Sequence, residues 1–206
     1  MFDDRTDAGR QLADLLTECG VEGDVVLGVP RGGLPVARIV ADRLDVPLDI
    51  VSARKLGAPW NSELAIGAVA GDGSVWLNEQ LISEAGIDDE YIEEVRTTER
   101  QAAQERLDRY REDRDAVDLT DQRVVIVDDG IATGATMIAC VRQVRAAGAS
   151  SVVVAVPVAP PETVTTLLAE ADDVVCVETP DYFGAVGRFY RSFGQVSDDE
   201  ARTYLR

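Results

Sequence analysis

Histidine is absent from this 206-residue chain, and lysine occurs once, at Lys55. Without imidazole there is no Ser-His-Asp or Cys-His nucleophilic machinery and no histidine-bearing zinc site. Cysteine is scarce: Cys19, Cys140 and Cys176 lie far apart among apolar neighbours, with no Cys-x-x-Cys pair. They read as three buried reduced thiols, not as a disulfide framework. No apolar run is long enough to cross a bilayer. The opening MFDDRTDAGRQLADLL is acidic and lacks the basic-then-apolar order of a secretion signal. A cytoplasmic protein is the expectation.

Positive charge is the largest deficit. Twenty Lys and Arg face 38 Asp and Glu, a formal net charge of −18. Nucleic acid and anionic membrane surfaces both demand a basic footprint, so neither is expected as a partner. Aspartate outnumbers glutamate, and nineteen arginines stand against the one lysine. Strong acidity with almost no lysine suggests an acidic, halophilic proteome, in which salt screens the self-repulsion. An arginine-favouring genome with an ordinary acidic surface is the alternative. Lys55 stands out under either, because a compact ammonium differs from the flat guanidinium fork, and a site that accepts only a point charge is a reason to keep one.

What is present is globular: 46% apolar and 28% charged residues. The length suits one domain over 1–206, with a core at about 20–178, a charged helical insertion at about 88–114 and a hood at about 179–206. Ala8, Leu12, Leu15, Leu16 and Cys19 fall at helical spacing, so the chain opens on an amphipathic helix. Asp24–Val29, the break at Pro30–Gly33 and the stripe Ala37, Val40, Ala41, Leu44 form a strand, glycine loop and helix. Leu48–Val51 begins a strand leading into Arg54 and Lys55, followed by a loop, KLGAPWNSE. Gly71-Asp72-Gly73 marks a hairpin between Ala65–Ala70 and Val75–Leu77, which places an antiparallel pair at one sheet edge. Residues 88–114 carry a thin apolar stripe, and read as a solvated helix or helix pair that serves as an arm or a lid, its arginines in solvated ion pairs. Beyond it, the valine runs Val124–Val127, Val152–Val156 and Val174–Val177 alternate with helices, the pattern of a parallel sheet covered on both faces. The aromatics Tyr182, Phe183, Phe189, Tyr190 and Phe193 pack under the hood, and Ser197 caps a closing helix.

In such a sheet ligands bind outside the carboxyl ends of the strands. Two loops face that rim, Pro30–Gly33 and Asp128–Thr136. In the second, Gly130, Thr133, Gly134 and Thr136 lie between a buried strand and a helix start, where backbone N–H groups, hydroxyls and the positive helix end converge to cradle a phosphate. Asp128 and Asp129 would repel phosphate, so they must serve sugar hydroxyls or a magnesium ion beside it. A sugar carrying a phosphate satisfies both halves. The chain has no Gly-Lys-Ser/Thr Walker loop, and GVPRGG is not a dinucleotide fingerprint.

Val124–Thr136, VVIVDDGIATGAT, is similar to the signature of type I phosphoribosyltransferases. The VPRGG, RKLGAP, ELAIGAV, VDDGIATGATM and ETPDYFGAVGRFY segments resemble a group of these proteins and span most of the chain. The resemblance implies an α/β fold with a mainly parallel central sheet, helices on both faces and a small C-terminal hood. It implies that Gly130, Ile131, Ala132, Thr133, Gly134, Ala135 and Thr136 form the donor-binding loop, in which Thr133–Thr136 bind the 5-phosphate. Asp128 and Asp129 would hold the ribose hydroxyls and, directly or through water, magnesium. Arg31, Gly32 and Gly33 resemble the pyrophosphate loop, which in this family often contains a cis non-proline bond, and glycines there let backbone approach the anion. Arg54 and Lys55 would neutralise the leaving pyrophosphate.

The implied chemistry is displacement at the anomeric carbon of magnesium-bound phosphoribosyl pyrophosphate by a nitrogen acceptor such as a nucleobase, with Lys55, Arg31, Asp128 and Asp129 as the catalytic set. Ala132 stands where enzymes for 6-oxopurines carry an aspartate, which argues against hypoxanthine or guanine. A homodimer is a family-level expectation, and small molecules are the expected partners. The rival readings are a non-catalytic regulatory protein that binds phosphoribosyl pyrophosphate or a nucleotide, and a phosphate-ester hydrolase, for which a metal-ligand cluster is missing.

Overall fold

The valine runs form the middle of the molecule. The structure, a computed structural model, describes residues 1–112 and 114–206; residue 113, inside the insertion expected over 88–114, lies outside the described residues. In chain order the elements are α1 (Arg5–Glu18), β1 (Val25–Gly28), α2 (Gly33–Leu44), β2 (Leu48–Ile50), β3 (Ala53–Ala58), β4 (Asn61–Ala70), β5 (Val75–Leu77), α3 (Glu79–Ala85) and α4 (Asp89–Arg111). There follow β6 (Arg123–Val127), α5 (Ala135–Ala146), β7 (Ser151–Val158), α6 (Pro161–Leu168), β8 (Asp173–Glu178), a 3-10 turn at Val186–Phe189 and α7 (Asp198–Thr203).

Five strands make one parallel sheet in the order β2-β1-β6-β7-β8. Alternate residues of β6 serve opposite cores, as the two-residue period of a strand requires. Val124 and Ile126 join Ile138 and Val141 of α5, whereas Val125 and Val127 join Leu12 and Leu16 of α1 and Val36 and Val40 of α2. Both faces are thus covered, which is why these strands are continuous apolar runs. Asp4 caps α1 by accepting from the Asp7 N–H at 2.9 Å.

The hairpin departs from the sequence expectation. β4 and β5 do pair antiparallel, but with β3 they form a separate three-stranded sheet in the order β3-β4-β5, not an edge of the central sheet. Lys55–Ala58, read as loop, is strand, and only Pro59 and Trp60 make the turn. The pairing slips at Gly57, where a Cβ would lie 2.8 Å from the Ser62 Cα, so glycine permits the two backbones to approach.

The charged insertion is likewise not a solvated arm. Ile92 and Ile87 pack with Leu56, Ile66 and Val69 of the small sheet, while Leu107 and Tyr110 enter the core beneath α1 and α2. Its arginines mostly meet fixed partners. Arg96 and Arg100 donate to the Gly73 and Gly71 carbonyls, and Arg111 lies 3.1 Å from the buried Asp49 carboxylate of β2. Cys140 is buried and Cys176 half-buried, but Cys19, expected inside, is exposed because it caps the C-terminus of α1 beyond its last buried turn. No helix among the described residues is long and apolar enough to cross a membrane.

Candidate functional site

Strands β1 and β6 pair Gly28 with Val127, which delivers Val29–Gly33 and Asp128–Thr136 side by side at the carboxyl end of the sheet. The Val29 N–H donates to the Val127 carbonyl at 2.9 Å and continues that pairing into the loops. The Pro30–Arg31 peptide bond is cis. The glycines that follow are needed for a reason the sequence did not expose. A Cβ on Gly32 would lie 2.1 Å from Asp129 Oδ2, and one on Gly33 would lie 2.8 Å from the Asp128 Cα. They make room for the acidic pair itself.

Asp128 and Asp129 are adjacent, and the Asp129 N–H donates to Asp128 Oδ1 at 2.8 Å. Burial pushes the Asp128 carboxyl well above its ordinary value, reinforced by the neighbouring Asp129 charge. Burial also raises Asp129, but Arg5 opposes it, with Nε 2.8 Å from Asp129 Oδ2. Arg5 itself is held by the Gly194 carbonyl at 2.7 Å and lies 4.0 Å from the Phe193 ring centroid. The Tyr190 hydroxyl donates to the Asp129 carbonyl at 2.6 Å. The hood and the first helix therefore both grip the acidic pair, and neither Arg5 nor Phe2, fully buried against Tyr190 with ring centroids 5.3 Å apart, was singled out in the sequence. Of the five hood aromatics, Tyr182 is 94% exposed, not packed beneath the hood.

The Gly130–Thr136 loop wraps the start of α5. Gly130 has φ +154° and touches the hood, where a Cβ would fall 2.6 Å from Val186, and Gly134 has φ +81° at the helix cap. Thr163 of α6 donates to the Ala132 carbonyl at 2.6 Å, and the Ile131 N–H donates to the Val158 carbonyl at 2.9 Å. Ile131 and Ala135 turn their side chains into the core, so only their backbone can meet a ligand. Ala132 and Thr133 are exposed, and the N–H groups of Thr133 and Gly134 have no backbone acceptor among the described residues. These donors, Thr136 and Val186 surround a cavity of about 250 Å³.

A second cavity, of about 510 Å³, shares Asp128 and Thr136 with the first and is lined by Pro30, Arg54, Lys55, Tyr91, Glu99 and Arg106 among others. Arg54 Nε lies 2.7 Å from Glu99 Oε2, and Lys55 Nζ lies 3.1 Å from Glu63 Oε2. Arg31 does not line it; its guanidinium lies 3.6 Å from Asp198, which also accepts from the Tyr110 hydroxyl at 2.6 Å. Burial, and after it that bond, push the Tyr110 hydroxyl up to about 12. Another cavity, of about 360 Å³ beside Asp49 and Gln143, contains neither loop.

A glycine-bearing loop that offers backbone N–H groups, an acidic pair and a cleft lined by cations thus meet at one sheet end, and the phosphoribosyl transferase domain model matches residues 6–192. The chain belongs to the phosphoribosyl transferase domain family. Two Mycobacterium tuberculosis relatives named "Putative phosphoribosyl transferase" are 47% identical over 205 residues; the alignment covers 100% of this chain and 46% of theirs. The chain therefore spans about half the length of these relatives. TT1426 from Thermus thermophilus is similar in crystal structure, with a TM-score of 0.84 and 44% identity over 100% of this chain and 97% of that one. A protein of Aquifex aeolicus with a TM-score of 0.53 and 11% identity, covering 98% and 83%, shares the fold. The family's mainly parallel sheet with helices on both faces is present in this chain.

Proposed function

We propose that this phosphoribosyl transferase family member transfers 5-phosphoribosyl from magnesium-bound phosphoribosyl pyrophosphate to a nitrogen acceptor such as a nucleobase and releases pyrophosphate. The observation that carries the reading is the junction of two cavities at Asp128 and Thr136, one with phosphate-loop donors and one with cations. In this reading the N–H groups and hydroxyls at Thr133–Thr136 hold the 5-phosphate, and Asp128 and Asp129 accept from the ribose hydroxyls. Arg54 and Lys55 face the diphosphate, and Arg31, turned toward Asp198, would have to swing in to reach it. The acceptor nitrogen bonds to the anomeric carbon as the carbon–oxygen bond to pyrophosphate breaks, and the acceptor's N–H proton is released. Cations that meet the charge growing on the departing group lower the barrier.

Magnesium fits the residues present. Asp128 and Asp129 offer hard oxygen donors, Arg5 already occupies one oxygen of Asp129, and the described residues contain no cluster of three or more metal-binding side chains. A cation held by one or two carboxylates, with substrate oxygens and water completing its shell, is the magnesium pattern. When bound, it would neutralise diphosphate charge. Calorimetric titration of phosphoribosyl pyrophosphate with magnesium, then pyrophosphate release across a panel of bases, tests the reading. Binding followed by base-dependent release is expected; binding with no release from any base would leave a regulatory protein, and no binding would overturn both. Lys55→Ala should lower turnover by about a hundredfold while changing the Michaelis constant little; unchanged turnover would remove Lys55 from the catalytic set.

A further inference from the structure

Every cation that the sequence assigned to the cleft has an internal counter-ion: Arg54 has Glu99, Lys55 has Glu63 and Arg31 has Asp198. Arg106 of α4 lines the same cavity and forms no ion pair or side-chain hydrogen bond among the described residues. We propose that Arg106 is a ligand for the diphosphate of the donor, and that α4 is a wall of the binding cleft.

The proposal rests on the donor-binding reading above and extends it to an element that the sequence left as an arm or a lid. A guanidinium half-removed from water next to other guanidinia costs free energy unless an anion repays it. Burial lowers its pKa, and so do the charges of Arg54 and Arg31. Its position is fixed: Ala103, Leu107 and Tyr110 on the same helix are buried, and Arg111 is tied to Asp49. The other arginines near it have been used structurally, Arg96 and Arg100 on carbonyls and Arg109 on Asp198 at 3.5 Å. A planar five-donor fork suits the two bridged phosphate groups of a diphosphate.

The test is calorimetric titration of pyrophosphate with excess magnesium into the wild type, Arg106→Gln, Arg106→Lys and Arg96→Gln, each checked by circular dichroism and thermal melting. Arg106→Gln is expected to weaken binding by about tenfold to a hundredfold, the loss of a charged hydrogen-bonding group. Arg106→Lys should weaken it less, and it stands in should the glutamine variant fail to fold. Arg96→Gln removes one charge from the same helix, so wild-type affinity there excludes a general field effect. Unchanged affinity in Arg106→Gln, or an equal loss in Arg96→Gln, overturns this inference and leaves the donor reading intact. Failure of the wild type to bind pyrophosphate or phosphoribosyl pyrophosphate overturns that reading and this inference with it.

Discussion

At Asp129, contacts from three other parts of the chain converge, Arg5 on its carboxylate, Tyr190 on its carbonyl and the Gly32 backbone against its Oδ2, while its neighbour Asp128 accepts from its N–H. A methyl group at Gly32 has no room, because the carboxylate it would strike is already pinned by Arg5. Gly32→Ala should therefore break that ion pair and reduce donor affinity by about a hundredfold, in line with the cost of displacing a positioning group by an ångström; calorimetry on the folded variant checks it. Arg5→Ala should weaken donor binding by about tenfold through the same carboxylate, with partial recovery in Arg5→Lys. The sequence made Gly32 visible as a special position but not its cause, since the clash is with a residue nearly a hundred positions away. Arg5 carried no local signal, because its partner lies 124 positions along the chain.

Among the elements, β1 and β6 are joined at their amino ends by Asp24 and Arg123, which exchange hydrogen bonds of 2.7 to 3.1 Å. Arg123 holds the Asp24 carboxyl down at about 2. A carboxyl lowered on folding adds stability that is fully present above its unfolded pKa of 3.8 and is lost as pH falls through about 2. Asp24→Asn should therefore melt below the wild type at pH 7, with the gap closing between pH 4 and 2. A gap that does not change with pH would remove the ion pair as its cause. At the other end, Thr163 ties α6 to the Gly130–Thr136 loop through the Ala132 carbonyl. Thr163→Val should cost about 1 kcal/mol in denaturant unfolding. The parallel core was legible because its valine runs alternate with helical stripes. The β4–β5 hairpin was legible from Gly71-Asp72-Gly73, but β3 and the separate sheet it completes were not, because KLGAPWNSE carries Gly, Pro and Asn through residues that pair with an irregular register. The helix at 89–111 and its thin apolar stripe are legible, but not where the stripe packs: few of its residues are apolar, yet those few reach two separate cores.

Across the whole molecule, a net charge of −18 encloses a cleft that contains three cations. Acidic surfaces repel themselves at low ionic strength, and salt screens that repulsion within about 10 Å. The melting temperature should rise as potassium chloride is raised from millimolar to molar; a flat or falling response would favour the arginine-rich genome over salt adaptation. The two loops that meet at the end of the sheet could be read from the sequence, but the juxtaposition of the two cavities could not, because Lys55 and Arg106 reach the rim from the small sheet and α4. On the donor-binding proposal, that shared border would make the site bivalent. Ribose 5-phosphate and pyrophosphate would each engage one compartment weakly, while a donor that joins them gains the second contact intramolecularly, at high effective concentration. The joined molecule should bind far more tightly than either fragment, and the same arithmetic would let pyrophosphate leave once its bond to the ribose is cut.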